Sequence, residues 1–248
     1  MTLPASLRLA LEQRTALKVI SGILNTDPVR VGQVVRAATW GGATYVDIAA
    51  VPSLVKQVRD LTSLPICVSA IDPLALAQSV AAGADLVEIG NYDPFYAQGE
   101  RFSAARILDL TRATRALLPQ TVLTVTVPHT LPLDQQADLA QNLVQAGADL
   151  IQTEGGMAAQ PSHSGTLGLM EKALPTLAAA YEIARAVSVP VLCASGLSSV
   201  TAPLAIAAGA AGVGVGSAIN RLDDELAMAA VVRSLVQALA VRVPAPCE

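Results

Sequence analysis

Cysteine is scarce: Cys67, Cys193 and Cys247 are the only three in 248 residues, and they show no metal-type spacing. They read as free thiols of a reducing compartment. Histidine is scarcer still. Neither His129 nor His163 stands at a metal-ligand spacing from another His, Cys or carboxylate, so no metal is expected. Charged residues make up 15% of the chain and leave a net charge of −4, which gives no general attraction to nucleic acid or to an anionic membrane. No apolar run approaches a membrane span, because charges and glycines interrupt the Ala, Val and Leu every few residues. The opening MTLPASLRLALEQR lacks a basic region followed by an apolar stretch and a cleavage site, so no secretory signal is expected. Aromatics number seven, and four of them sit in one short stretch, 91–102.

What is present is repetition. GGATYVDIA (41–49), AGADLVEIG (82–90), AGADLIQTEG (146–155) and AGAAGVGVGS (208–217) are four versions of one unit: a helix end, Gly-Ala, then a short β-rich strand. Between them lie strands introduced by proline, in LPICVSA (64–70), LPQTVLTVTV (118–127) and VPVLCASG (189–196). Gly closes a helix in the left-handed conformation and Pro stops one from continuing. With LKVISGI as the first, eight strands are predicted near 17–23, 45–49, 66–70, 85–90, 121–127, 149–154, 191–195 and 211–216. The segments between carry apolar residues at helical spacing. Strand and helix alternating throughout mean parallel α/β. The length and the eight units favour one (β/α)8, or TIM, barrel domain spanning 1–248, with the barrel itself at about 16–241. An open doubly wound sheet is the rival. The first fifteen residues are expected to form a helix across the barrel bottom, 223–241 the last outer helix, and VRVPAPCE a frayed tail.

Two Gly turns near the C-terminus point to a ligand. In such barrels the loops after strands seven and eight, with a short extra helix, form a phosphate site. Gly lets the backbone approach an anion, and the N–H groups of a first helical turn point at it. Gly196, Leu197, Ser198, Gly216 and Ser217 are the expected phosphate-binding residues. The plainer reading is that these glycines only make sharp turns.

Alternation along the strands predicts a polar interior. Aligning the Gly-Ala units places Asp47, Glu88, Gln152 and Gly214 at equivalent positions, each between apolar neighbours that face the helices. Ser69, Thr124, Thr126 and Lys18 are expected to face inward by the same rule, Lys18 resting on the weakest pattern. Burying these charges requires pairing, at least of Lys18 with Asp47 or Glu88. Two readings stay open. Lys18, Asp47 and Glu88 are a neutralised network low in the barrel, or they are catalytic, with a lowered Lys18 pKa for Schiff-base chemistry and Glu88 as the acid or base.

Two loops are longer than a turn requires. The stretch 91–102 holds Tyr92, Phe95, Tyr96 and Phe102 and is read as a lid or, slightly preferred, as a plug or a packing surface for another subunit. The stretch 154–168 is expected to order around ligand, and with Gln152 it supplies Glu154, Gly155 and His163 as candidate substrate-loop residues. His129 follows strand five at the catalytic face and is an acid/base candidate, with a surface or capping role as the alternative.

The strings KVISGILN, GGATYVDIAAVPSLV, LPICVSAIDP, EIGNYDPFYAQGERFSA, VTVPHTLPLDQQ, IQTEGG and ASGLS resemble the plastid and cyanobacterial reading-frame family called ycf, number twenty-three, over about 16–220. The resemblance implies a soluble protein of the cyanobacterial cytoplasm or the plastid stroma, carrying a domain of unknown function, and supplies no reaction. GADLIQTEGG, PVLCASGLSS and AAGAAGVGVGSAI are also similar to the C-terminal half of flavin-dependent nitronate monooxygenases, which implies FMN as a cofactor. Gly155 and Gly156 match there, but Met157 stands where His would follow. The same half resembles thiazole synthases and tryptophan-synthase α chains. Three functions are therefore expected in competition: a lyase, synthase or isomerase acting on a small phosphorylated metabolite, an FMN-dependent oxidoreductase, and a non-catalytic phosphometabolite sensor or docking protein. A homo-oligomer is compatible with all three.

Overall fold

The computed structural model describes residues 3–155 and 161–240. The tail VRVPAPCE with Cys247, and Gly156 and Met157 of the flavin-like segment, lie outside the described residues. Within them the chain opens with α1 (Ala5–Glu12) and then alternates: β1 (Ala16–Ile20), α2 (Pro28–Gly41), β2 (Tyr45–Ala49), α3 (Pro52–Leu61), β3 (Ile66–Ala70), α4 (Pro73–Ala81) and β4 (Leu86–Ile89). A four-residue α5 (Asp93–Tyr96) precedes α6 (Ala104–Leu117), followed by β5 (Val122–Thr126), α7 (Leu133–Gln145), β6 (Leu150–Gln152) and α8 (Gly165–Ala186). The chain then runs through β7 (Val191–Ala194), α9 (Ala202–Ala207), β8 (Gly212–Val215), the short α10 (Ser217–Asn220) and α11 (Glu225–Ala240). The strands pair in sequence order and β8 closes on β1, all parallel, so the structure is a TIM barrel and not an open sheet.

The two kinds of join explain the strand positions. Gly42, Gly83, Gly147 and Gly209 take φ of 83, 115, 105 and 113°, the left-handed stop that the Gly-Ala units require. The residue two places on then ties one strand to the next. Thr44 Oγ1 accepts from Leu17 N at 2.9 Å, Asp85 Oδ2 from Ile66 N at 2.8 Å, and Asp149 Oδ2 from Leu123 N at 2.9 Å. Both aspartates are also held by arginines, Arg59 and Arg115. At the opposite helix ends, Asp27 and Asp72 cap α2 and α4, each accepting a backbone N–H at 2.9 Å ahead of a proline that suits a first helical turn.

The core has two parts. Aliphatic side chains from the outer strand faces pack under the helices. At the barrel bottom, Leu7 and Leu11 of α1 seal the first inward residues of β1 to β7, from Ala16 to Leu192. The strand predictions hold within a few residues, and the differences have local causes. β1 stops at Ile20 because Gly22, with φ of 115°, turns the chain. α8 begins at Gly165, so the last residues of the expected 154–168 loop are its first turn.

Candidate active site at the barrel mouth

Two polar layers stand one above the other inside the barrel. In the lower layer Lys18 is wholly buried. Its Nζ donates to Glu88 Oε2 and to Gln152 Oε1 at 3.1 Å, and lies 3.3 Å from Asp47 Oδ2. Ser69 Oγ donates to Asp47 Oδ1 at 2.6 Å, and Glu88 Oε1 accepts from Gln152 Nε2 at 2.8 Å and from Thr126 Oγ1 at 3.3 Å. Of the residues that strand alternation turned inward, Lys18, Asp47, Ser69, Glu88, Thr126 and Gln152 meet here.

The electrostatics run against Schiff-base chemistry. Burial alone lowers a lysine pKa, but Asp47 and Glu88 together raise that of Lys18 well above its ordinary value. The expectation of a lowered Lys18 pKa is therefore corrected: two carboxylates share one ammonium, and its proton is held. Burial pushes the Glu88 carboxyl up, to about 7, against the pull of Lys18 and with the push of Asp47.

The upper layer is the floor and wall of a cavity of about 640 Å³ at the C-terminal ends of the strands. Thr126, Gln152, Ala194 and Gly214 line its base, whereas Lys18, Asp47 and Glu88 do not reach it. On one side lie Ser195, Gly196 and Leu197 after β7 and Gly216 and Ser217 after β8, with Lys172 of α8 and Arg221. Gly196 is required there: its φ is +71°, and a Cβ would meet the Lys172 carbonyl oxygen at 2.6 Å. Ser195, just before it, holds φ of 81°, and Asn91, which also lines the cavity, holds 65°. A non-glycine residue in this region costs energy, least for Asn, and such strain gathers at functional sites. Asn220 Nδ2 donates to Ile20 O at 2.9 Å and so ties α10 to the end of β1.

Ser198 is a correction. It does not line the cavity, because its N–H donates to Thr201 Oγ1 at 2.9 Å and closes the local turn. Gly155 likewise packs away from the opening, where a Cβ would sit 3.1 Å from Thr176 and 3.3 Å from Ser195. His163 is exposed and held by Glu171 of α8, its Nδ1 2.6 Å from Oε1, so it is a surface pair and not a cavity residue.

Glu154 and Asp93 also line the cavity. Glu154 is 4% exposed and collects four donors: Tyr92 N at 3.0 Å on Oε1, and Tyr96 OH at 3.1 Å, His129 N at 3.3 Å and His129 Nδ1 at 2.9 Å on Oε2. The hydrogen bond to Glu154 raises the His129 pKa above 6.5, aided by the charges of Glu154 and Asp93 and opposed by burial. His129 stands behind Glu154 and does not itself line the cavity. It thus has the partner that no residue near it in sequence supplies. The 91–102 stretch is chiefly an anchor. Tyr92 and Phe102 are buried and stacked at 4.4 Å, and Tyr92 OH donates to Thr126 O at 3.0 Å.

Sequence spacing offered His129 no metal partner, yet Asp93, His129 and Glu154 present ligand atoms within 4.8 Å of one another. In the structure described, the Nδ1 hydrogen bond and the other donors occupy the Glu154 oxygens. Lys172 escaped the sequence reading altogether. Its only signal was a lysine beside Glu171 in the first half of α8.

Comparisons agree on fold and family. Among solved structures the chain is similar to GGGPS from Thermoplasma volcanium (TM-score 0.66, 12% identity, 98% of this chain and 100% of that one). It is similar also to thiamine phosphate pyrophosphorylase from Pyrococcus furiosus (0.61, 20%, 92% and 97%) and to 3-hexulose-6-phosphate synthase (0.63, 20%, 91% and 100%). At these identities the likeness shows the barrel fold. No described helix is long and apolar enough to cross a membrane. Among curated proteins it is 44% identical over 215 residues to "Uncharacterized protein ycf23" of Cyanophora paradoxa, covering 86% of this chain and 88% of that protein. It is 35% identical over 239 residues to the protein of the same name in Pyropia yezoensis, covering 96% and 88%. The family model described as "Protein of unknown function (DUF561)" matches residues 3–243, and the chain belongs to that family.

Proposed function

We propose that the protein is an enzyme of the lyase, synthase or isomerase type that transfers a proton on a small phosphorylated metabolite. One observation carries this reading: a single cavity is lined by the Gly196 and Gly216 turns, by Lys172 and Arg221, and by Glu154. Gly196, Leu197, Gly216 and Ser217, with the two cations, hold the phosphate. Glu154 Oε1, which among the described residues accepts only from Tyr92 N, takes the proton from the bound substrate, and His129 and Tyr96 hold the carboxylate in place through Oε2. Lys18, Asp47 and Glu88 are positioning residues. They fix Gln152, whose amide lies on the cavity floor, through its oxygen to Lys18 and its nitrogen to Glu88.

Two of these structural neighbours are named for phosphorylated compounds, thiamine phosphate and 3-hexulose-6-phosphate, which supports the same ligand class. FMN would use the same phosphate half, so it belongs in the test. We place the protein in a cyanobacterial cytoplasm or a plastid stroma, on the family and its algal relatives. Exposed Leu167, Met170, Leu174 and Tyr181, three, four and seven residues apart along α8, support self-association, which sedimentation velocity tests.

The decisive experiment is a visible spectrum of purified protein and mass spectrometry of the small molecule released on denaturation, followed by exchange of that molecule with D2O. A colourless protein that releases a phosphate ester is expected. The wild type should incorporate deuterium, and Glu154→Gln should bind the ester with exchange slowed about 10²-fold or more. Flavin bands would replace this reading with the oxidoreductase, and binding without exchange or turnover would replace it with the sensor.

A further inference from the structure

A second hollow of about 210 Å³ opens beside the main cavity, over the ends of β1, β2 and β3. The two adjoin at the strand ends. Gly22 and Pro94 line the first, and their chain neighbours Ile23 and Phe95 line the second. Its walls are mostly apolar, with Ile23, Val51, Ile71 and Phe95 among the lining residues. Two of its polar residues are already engaged: Ser69 Oγ donates to Asp47, and Asp72 caps α4. Its walls hold no lysine or arginine, and their one charged side chain is that carboxylate.

We propose that the substrate is a monophosphate ester whose far end is a small apolar group seated in this second hollow. The inference rests on the phosphate assignment above and adds the chemical class of the remainder of the molecule. Water in an apolar hollow has few partners, so an apolar group gains by displacing it. A cavity of 150 Å³ holds benzene, so this one accommodates about six carbon atoms. A second phosphate or a carboxylate at that end would meet Asp72 and no cation, which excludes bisphosphates and phosphorylated acids.

The test is calorimetric titration of the whole protein with inorganic phosphate and with methyl to octyl phosphate. Affinity should rise about fourfold per methylene, from about 0.8 kcal/mol for each CH2, and level off near six carbons. Ala70→Phe, which fills the hollow, should remove the gain while leaving inorganic phosphate binding unchanged. Ala50→Phe makes the same test from another wall should the first variant fail to fold, and the wild-type chain-length series needs neither. Equal affinity for all the esters, or a gain that survives both substitutions, overturns the apolar subsite and leaves the phosphate site standing. Failure of every phosphate compound to bind overturns the phosphate site and this inference with it.

Discussion

Glu88→Gln isolates the cost of the buried carboxylate layer. With its pKa raised from 4.5 to about 7, Glu88 binds more proton in the folded chain than in the unfolded chain between those values. Stability must therefore fall as pH rises through that window. At 1.36 kcal/mol per pH unit the fall is about 3 kcal/mol, complete once pH exceeds about 7. The substituted glutamine keeps the size and an acceptor for Lys18 and cannot titrate, so this part of the slope disappears from the variant. His129, whose pKa is also raised, loses its stabilising pair as pH climbs and adds a slope of the same sign. That slope is common to both proteins and cancels in their difference. The assay is urea unfolding followed by circular dichroism at intervals from pH 4.5 to 8.5. Relative to wild type, Glu88→Gln should gain about 3 kcal/mol between the ends of that range. A difference that does not change with pH would refute the argument that Glu88 bears the burial cost.

Lys18→Met leaves Asp47 and Glu88 buried without their cation and should cost about 3–5 kcal/mol in urea unfolding at pH 7, more than an exposed lysine costs. Gly196→Ala forces a methyl against the Lys172 carbonyl at φ of +71° and should destabilise by about 1–3 kcal/mol. It should also abolish binding of inorganic phosphate, and unaltered binding by titration would remove Gly196 from the site. In NMR titrations the His129 ring should titrate above 6.5 in wild type and shift back toward 6.5 in Glu154→Gln, since the hydrogen bond to Glu154 is the largest cause of its shift.

Strand alternation and the Gly-Ala unit are local, and each was legible. An apolar-polar-apolar triplet such as Val46-Asp47-Ile48 has only one way to face in a barrel strand, so Asp47, Glu88 and Gln152 could be placed before any contact was known. The site was less legible because its pairs are distant in sequence. Glu154 and His129 are joined across 25 residues by two strand ends lying side by side, and Lys172 reaches the cavity only because α8 begins where it does. Ser198 was misread for a subtler reason. Gly196, two residues earlier, does line the cavity, but the Thr201 hydroxyl takes the Ser198 N–H that an anion would need. The direction of the Lys18 shift depends on whether one carboxylate or two meet the ammonium, which alternation alone cannot count.

That distinction separates the two layers in function. Lys18, Asp47 and Glu88 find their partners in one another, so the lower layer is complete without a ligand. Above it, among the described residues, no ion pair engages Lys172 or Arg221, although both line the cavity. Cations left unpaired beside left-handed turns in a concave space attract an anion more strongly than the same cations on an open surface, because the low-dielectric walls focus their field. Glu154, which lines the same cavity, already accepts from Tyr92, Tyr96 and His129, so on the function proposed above the phosphate lies by Gly196 and Gly216 and the neutral portion of the ligand meets the carboxyl group. On that proposal the charge pattern orients the ligand before any reaction begins, with the atom that loses its proton within reach of Glu154.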